Sequence, residues 1–119
     1  MHIHLRPHWE VGRERDRLVD TTGLLALLGA VQDGGSLAQA ARGLGWSYRH
    51  CWGLVKQAEA LFDGPLIVAG RGRGSSLTDL AHKLLWADRR IAARLSPLLE
   101  SLASELEGEL GRGAPRRCA

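Results

Sequence analysis

Apolar residues along this chain change their period several times, and each change marks an element. In "HIHLRPHWEV" (residues 2–11), Ile3 and Leu5 alternate with His2, His4 and Arg6, the two-residue period of a short strand. The run "GRERDR" (12–17) reads as a charged connection. From Leu24 the pattern turns helical and dense. Leu24, Leu25, Leu27, Leu28 and Val31 share a face, Asp20 or Thr21 is the expected cap, and Asp33-Gly34-Gly35 the stop.

Ser36 opens a second helix, with Gln39 at the spacing of a capping box. Its small residues Ala38, Ala40 and Ala41 let a neighbouring helix come close. Gly43 and Gly45 bracket Leu44 and predict a turn that tolerates positive φ. Ser47 caps a third helix to about Phe62, where Asp63-Gly64-Pro65 breaks it. This helix gathers Tyr48, Arg49 and His50 on its first turn, while apolar Cys51, Leu54, Val55 and Ala58 follow.

"PLIVAG" (65–70) then predicts a strand, "RGRGS" (71–75) a glycine-rich loop and "SLT" (76–78) a returning strand. Thr78 with Asp79 caps a long helix to about Leu110. Along it Leu80, Leu84, Ala87, Ile91, Leu95, Leu98, Leu102 and Leu106 recur at steps of three and four, a coiled-coil-like seam interrupted by Pro97, which predicts a bend or a boundary. A seam of ~30 residues is ~45 Å long, more than a domain of this size covers. An isologous homodimer through Leu84, Ile91, Leu95, Leu98, Leu102 and Leu106 is the expected answer. The element order predicts a mostly α fold with a small β-hairpin wing (α+β), a winged helix-turn-helix with a long C-terminal dimerisation helix. Its expected divisions are a winged helix-turn-helix domain over 1–78, a linker and dimerisation helix over 79–110, and a disordered tail over 111–119.

A length of 119 residues suits one domain with a modest core. The formal net charge is only +3, but the sign is segregated: residues 42–94 hold nine Arg or Lys against four acids, and residues 95–111 hold four Glu and no base. A basic middle suggests a polyanion footprint. No apolar run approaches the ~18 residues of a membrane span, and residues 1–20 lack a signal-peptide core, so a cytoplasmic protein is expected. Cys51 and Cys118 suggest no disulfide framework, and Cys51 is expected to be a small buried thiol.

A helix that only packs has no need of polar groups at its tip, whereas one that enters a nucleic-acid groove does. Ser47 as cap leaves backbone N–H groups and a positive dipole end, which favour a phosphate. Arg49 can fork onto guanine O6 and N7, and Tyr48 and His50 can donate to phosphates or base edges. Ser36, Gln39 and Lys56 are expected to hold the DNA backbone, and Arg71 and Arg73, among Gly70, Gly72 and Gly74, a minor groove or phosphates. A nucleotide-binding loop would need a strand–loop–helix with a Walker lysine; the order here is strand–loop–strand. Trp46, at the apolar position after the turn, is expected to be structural, and Trp52 either covers the core edge or stacks along the sugar–phosphate. His2, His4 and His8, with Glu10, are the weak metal candidates. The ordinary reading of such a strand face is solvated, so no metal and no cofactor is expected. No Ser–His–Asp or Cys–His arrangement suggests an enzyme.

At "SLAQAARGLGWSYRHCWGLVKQAEALF" (36–62) the chain resembles the DNA-binding half of the ModE family of molybdate-responsive transcription regulators, and more distantly the LysR-type regulators. The matching features are Ser36-x-x-Gln39, Ala41 four residues before Gly45, "SYR" followed by Trp52, "LIV" before a glycine-rich wing, and Leu77-Thr78 opening the linker helix. The wing "GRGRGSS" is shorter and more basic than the family's. The resemblance covers roughly residues 18–95. It implies a regulator that binds a pseudo-palindromic operator in double-stranded DNA as a homodimer, paired antiparallel. Full-length members carry a C-terminal oxyanion-binding domain with no counterpart here. Molybdate is therefore not expected to bind this chain, which is either a single-domain relative or a DNA-binding segment of something longer. A rival from another class is a winged-helix adaptor that binds a protein partner through its leucines and "ESLASELEGEL". A weaker one is a metal sensor gated by the N-terminal histidines.

Overall fold

Two short strands flank the Arg15-Asp16 turn, where the alternating pattern had predicted an isolated strand and a connection. A computed structural model describes residues 1–69 and 75–112. Strands β1 (Glu10–Glu14) and β2 (Arg17–Asp20) pair antiparallel, with Val11 opposite Val19 and a register shift before the Glu14–Arg17 pair. The strand expected over residues 2–11 thus begins only at Glu10, and "GRERDR" supplies most of a hairpin. Gly12 is required there: a Cβ at this position would collide with the Arg17 carbonyl, so only glycine lets the two backbones approach.

Helices α1 (Thr22–Gly34), α2 (Leu37–Leu44) and α3 (Tyr48–Phe62) follow, mutually in contact. Thr21 precedes α1, but its hydroxyl donates to the Trp9 carbonyl (2.8 Å) and does not cap the helix. Gly35 ends α1 with φ 84°. Strands β3 (Ile67–Ala69) and β4 (Ser75–Leu77) form a second antiparallel hairpin. Arg71 and Arg73, expected on a glycine-rich loop, lie outside the described residues. Helix α4 (Asp79–Gly111) starts where the Thr78 hydroxyl accepts from the Ala81 N–H (3.3 Å) and donates to the Pro65 carbonyl (2.7 Å). Helical structure continues through Pro97, where a bend or boundary was expected. Gly111 still belongs to the helix and Arg112 bonds Glu109 (3.2 Å), so these two residues are not part of the tail expected over 111–119; residues 113–119 lie outside the described residues.

The described chain divides into two compact units, one of residues His8–Asp88 and the other of residues 1–7 with α4 from Arg89 onward. The boundary expected after residue 78 therefore falls ten residues later. The reason is burial: Ala81, Leu84 and Leu85 enter the same core as Leu27, Leu28, Val31, Leu37, Val55 and Leu66, and Trp9 Nε1 donates to Asp88 (3.0 Å). Leu84 is thus a core residue and not the start of a dimer seam. In the second unit the Ile3 N–H donates to the Glu107 carboxylate (2.7 Å) and Ala103 is buried.

Leu28 is fully buried at the centre of this core. Leu28→Ala is expected to cost about 2–5 kcal/mol of unfolding free energy in a urea titration; a loss below about 1 kcal/mol would show that the site is not packed as described.

Candidate nucleic-acid interface

Between α2 and α3 the chain turns within three residues, and glycine makes that possible. Gly45 ends α2 with φ 74°, a conformation that costs an ordinary residue energy and glycine none. Its N–H donates to the Arg42 carbonyl (3.2 Å) and the Trp46 N–H to the Ala41 carbonyl (2.9 Å), which closes the end of α2. Gly43, also expected to serve the turn, lies inside α2. Small buried residues Ala40 and Ala41 on α2, with Cys51, Val55 and Ala58 on α3, let the helices pack closely.

Both helices begin on a serine cap. Ser36 Oγ accepts from the Gln39 N–H (3.1 Å), and Ser47 Oγ from the His50 N–H (3.0 Å), each satisfying one of the N–H groups that a helix start leaves without an internal partner. The remaining N–H groups of α3 and its positive dipole end point the same way as the tip. Tyr48, Arg49 and His50 are all exposed there, Tyr48 by 51%. Trp46 meets His50 edge-on (5.4 Å between ring centres), and Tyr48 meets Trp52 in the same manner (6.2 Å). Lys56 Nζ lies 5.1 Å above the Trp52 ring and 3.7 Å from Glu59. Trp46 and Trp52 are half-buried against the core, as expected for its edge.

The electrostatics of this stretch have one sign. From residue 34 to residue 58 the chain contains Arg42, Arg49 and Lys56 and no Asp or Glu. Arg42 and Arg49 form no ion pair among the described residues. Lys56 is shared between Trp52 and Glu59, so it reaches outward less freely than Arg49. Behind the tip, burial pushes the Cys51 thiol above its ordinary pKa, which makes it an inert packing group.

The structure thus gathers Ser47, Tyr48, Arg49 and His50 on the first turn of α3, with Lys56 two turns along the same helix; Ser36 and Gln39 stand separately at the start of α2. Of the predicted interface leucines, Leu95, Leu98, Leu102 and Leu106 are exposed and Ile91 is half-buried. Among the described residues no three His, Cys, Asp or Glu converge as metal ligands. His2 and His4 lie outside any strand, and His8 instead pairs with Asp20 (3.1 Å). Sequence reasoning missed Arg13, which donates to the Leu61 (3.1 Å) and Ala60 (3.3 Å) carbonyls and ties the β1–β2 hairpin to the end of α3. The Arg15-Asp16 turn between Val11 and Val19 was the available signal.

No family model matches the chain. It is similar to the molybdenum-pterin-binding protein MopB of Rhodobacter capsulatus, with 35% identity over 86 residues that cover 69% of this chain and 32% of that protein. The chain spans about a third of the length of this curated relative. No helix among the described residues is long and apolar enough to cross a membrane.

Two measurements check this local geometry. Ser47→Ala should cost about 1 kcal/mol of stability and Ser47→Gly only a few tenths; equal losses would show that the cap does not form. A thiol whose folded pKa is raised stabilises the fold fully below its unfolded value of about 8.5 and loses that contribution as pH rises through the folded value. Unfolding free energy should therefore fall more steeply above pH ~8.5 than in Cys51→Ala, and parallel curves would contradict the burial.

Proposed function

We propose that this chain is a winged helix-turn-helix DNA-binding regulator of the ModE type, acting as a homodimer on a two-half-site operator. The observation that carries this reading is the exposed, acid-free tip of α3, held outward while the opposite face of the same helix is buried. In this reading α3 enters the major groove with Arg49 on base edges and Tyr48 and His50 beside it. The N–H groups at the Ser36 and Ser47 caps, with Gln39 and Lys56, meet phosphates. Arg71 and Arg73, which follow β3 in the sequence, serve as the wing's contacts. Exposed Leu95, Leu98, Leu102 and Leu106 support pairing with a second copy. The similarity to MopB supports a molybdenum-related role for the whole protein, without an oxyanion site on this chain. No catalysis and no cofactor is part of the proposal, and its setting is the cytoplasm.

The exposed leucines beside Glu100, Glu105 and Glu109 also suit a protein-binding adaptor without DNA affinity. One titration separates the two. Fluorescence anisotropy with a random duplex at ~50 mM salt should show binding that weakens with salt, log K falling by roughly 0.9 per log unit of salt for each phosphate neutralised. An adaptor gives almost no signal, and that result would overturn the DNA reading. On a duplex selected from a random pool, Arg49→Ala should lose about 1–3 kcal/mol of discrimination over random sequence, whereas Arg73→Ala should weaken all sequences together. Equal losses on both kinds of duplex would show that Arg49 does not read bases.

A further inference from the structure

The face of α3 opposite the tip's neighbours carries a glycine for which the chain itself has no use. Cys51, Val55 and Ala58 are the buried side of α3. At 100° per residue, the line most directly opposite passes through Arg49, Gly53 and Ala60. Ala60 sits beside the β1–β2 hairpin, its carbonyl accepting from Arg13, so the open part of the line is Arg49 and Gly53. Glycine inside a helix weakens it relative to alanine. A Cβ at Gly53 would meet no atom within 4 Å beyond the adjoining residues and the helix's own backbone, and φ there is not positive. Neither packing nor backbone conformation therefore calls for glycine. Gly29 on α1 is equally open, so openness alone assigns no role; what distinguishes Gly53 is its place one turn behind Arg49 on the outward line.

Without a side chain this patch is open surface, and what it presents is helix backbone, whose N–H and C=O groups are engaged within α3, so it offers no free donor or acceptor. Beside it runs the column Tyr48, Trp52 and Lys56, prearranged by the ring-edge contact and by the ammonium above the indole. A polar group pressed against such bare backbone in a groove loses its water without replacement, whereas an apolar group loses nothing. On the floor of the major groove, the apolar group that base edges present is the thymine 5-methyl. Resting on the DNA-binding reading above, the geometry points to Gly53 as a specificity-determining position that seats a thymine 5-methyl group one helical turn in from Arg49.

The test uses duplexes selected by the full chain from a random pool, remade with deoxyuridine for thymidine one position at a time. The wild type should bind about fourfold more weakly when one particular methyl in a half-site is removed, the worth of one buried methyl group. Gly53→Ala should bind the thymidine duplex at least about fivefold more weakly, since the added methyl overfills the contact, and should no longer distinguish thymidine from deoxyuridine at that position. Its unfolding midpoint should rise by roughly 2–5 °C, which separates lost binding from lost folding. Gly29→Ala should raise the midpoint similarly and leave duplex affinity unchanged. The proposal is overturned if every deoxyuridine substitution is neutral for the wild type, or if Gly53→Ala keeps wild-type affinity and discrimination. A wild type that binds no duplex at all would remove the DNA reading itself, and this proposal with it, a result distinct from failure at Gly53 alone.

Discussion

The left-handed backbone of Gly45 is the constraint on which the placement of α3 depends. It turns the chain from α2 into α3 in three residues, and the Trp46 N–H, donating back to the Ala41 carbonyl, fixes where α3 begins. Because the turn is that short, α2 and α3 must pack against each other, and they do so through alanines and a cysteine too small to hold them apart. Once Cys51, Val55 and Ala58 are committed to the core, the 3.6-residue period obliges Arg49 and Gly53 to face outward. The polar tip is displayed as a consequence of packing behind it. A substituted Gly45 would be strained at φ 74° and would disturb the direction of α3 before touching any residue of the tip.

The helices were legible because their signals are local and agree with one another. Ser36 and Ser47 cap where their spacing says they should, Gly35 and Gly45 stop the preceding helices, and the leucines of α1 fill the core. The β1–β2 hairpin was not legible as such, because Ile3 and Leu5 mimic a strand that does not form. The true strands instead lie in a charged stretch and depend on a carbonyl approaching Gly12. The leucine repeat of α4 misled in a related way. A uniform spacing does not tell which leucines a neighbouring core will claim, and Leu84 is claimed while Leu95 through Leu106 are not. At the tip, Ser47 to His50 could be read from charge and capping, whereas the arrangement of Trp52 beneath Lys56 and the emptiness above Gly53 needed coordinates.

The two faces of α3 differ in what they do for the fold. Its buried face belongs to a core shared by the three helices, the β3–β4 hairpin and the first turns of α4, and Arg13 fastens its far end to the β1–β2 hairpin. Its outward face carries Arg49 and Gly53, which make no core contact, while Trp52 at its margin still packs against the core edge. The relation to MopB covers most of this chain and about a third of that protein, so what the remainder of such a relative binds is a separate matter from how this segment would meet DNA.

Amide shift mapping tests the central claim most directly. A ¹⁵N-labelled sample would be titrated with a duplex enriched from random sequence. The account predicts that the largest shift changes fall on residues 47–53 and at the start of α2, with little change at Leu98 or Leu102. Changes confined to the α4 leucines, or no change at the α3 tip under saturating duplex, would contradict it.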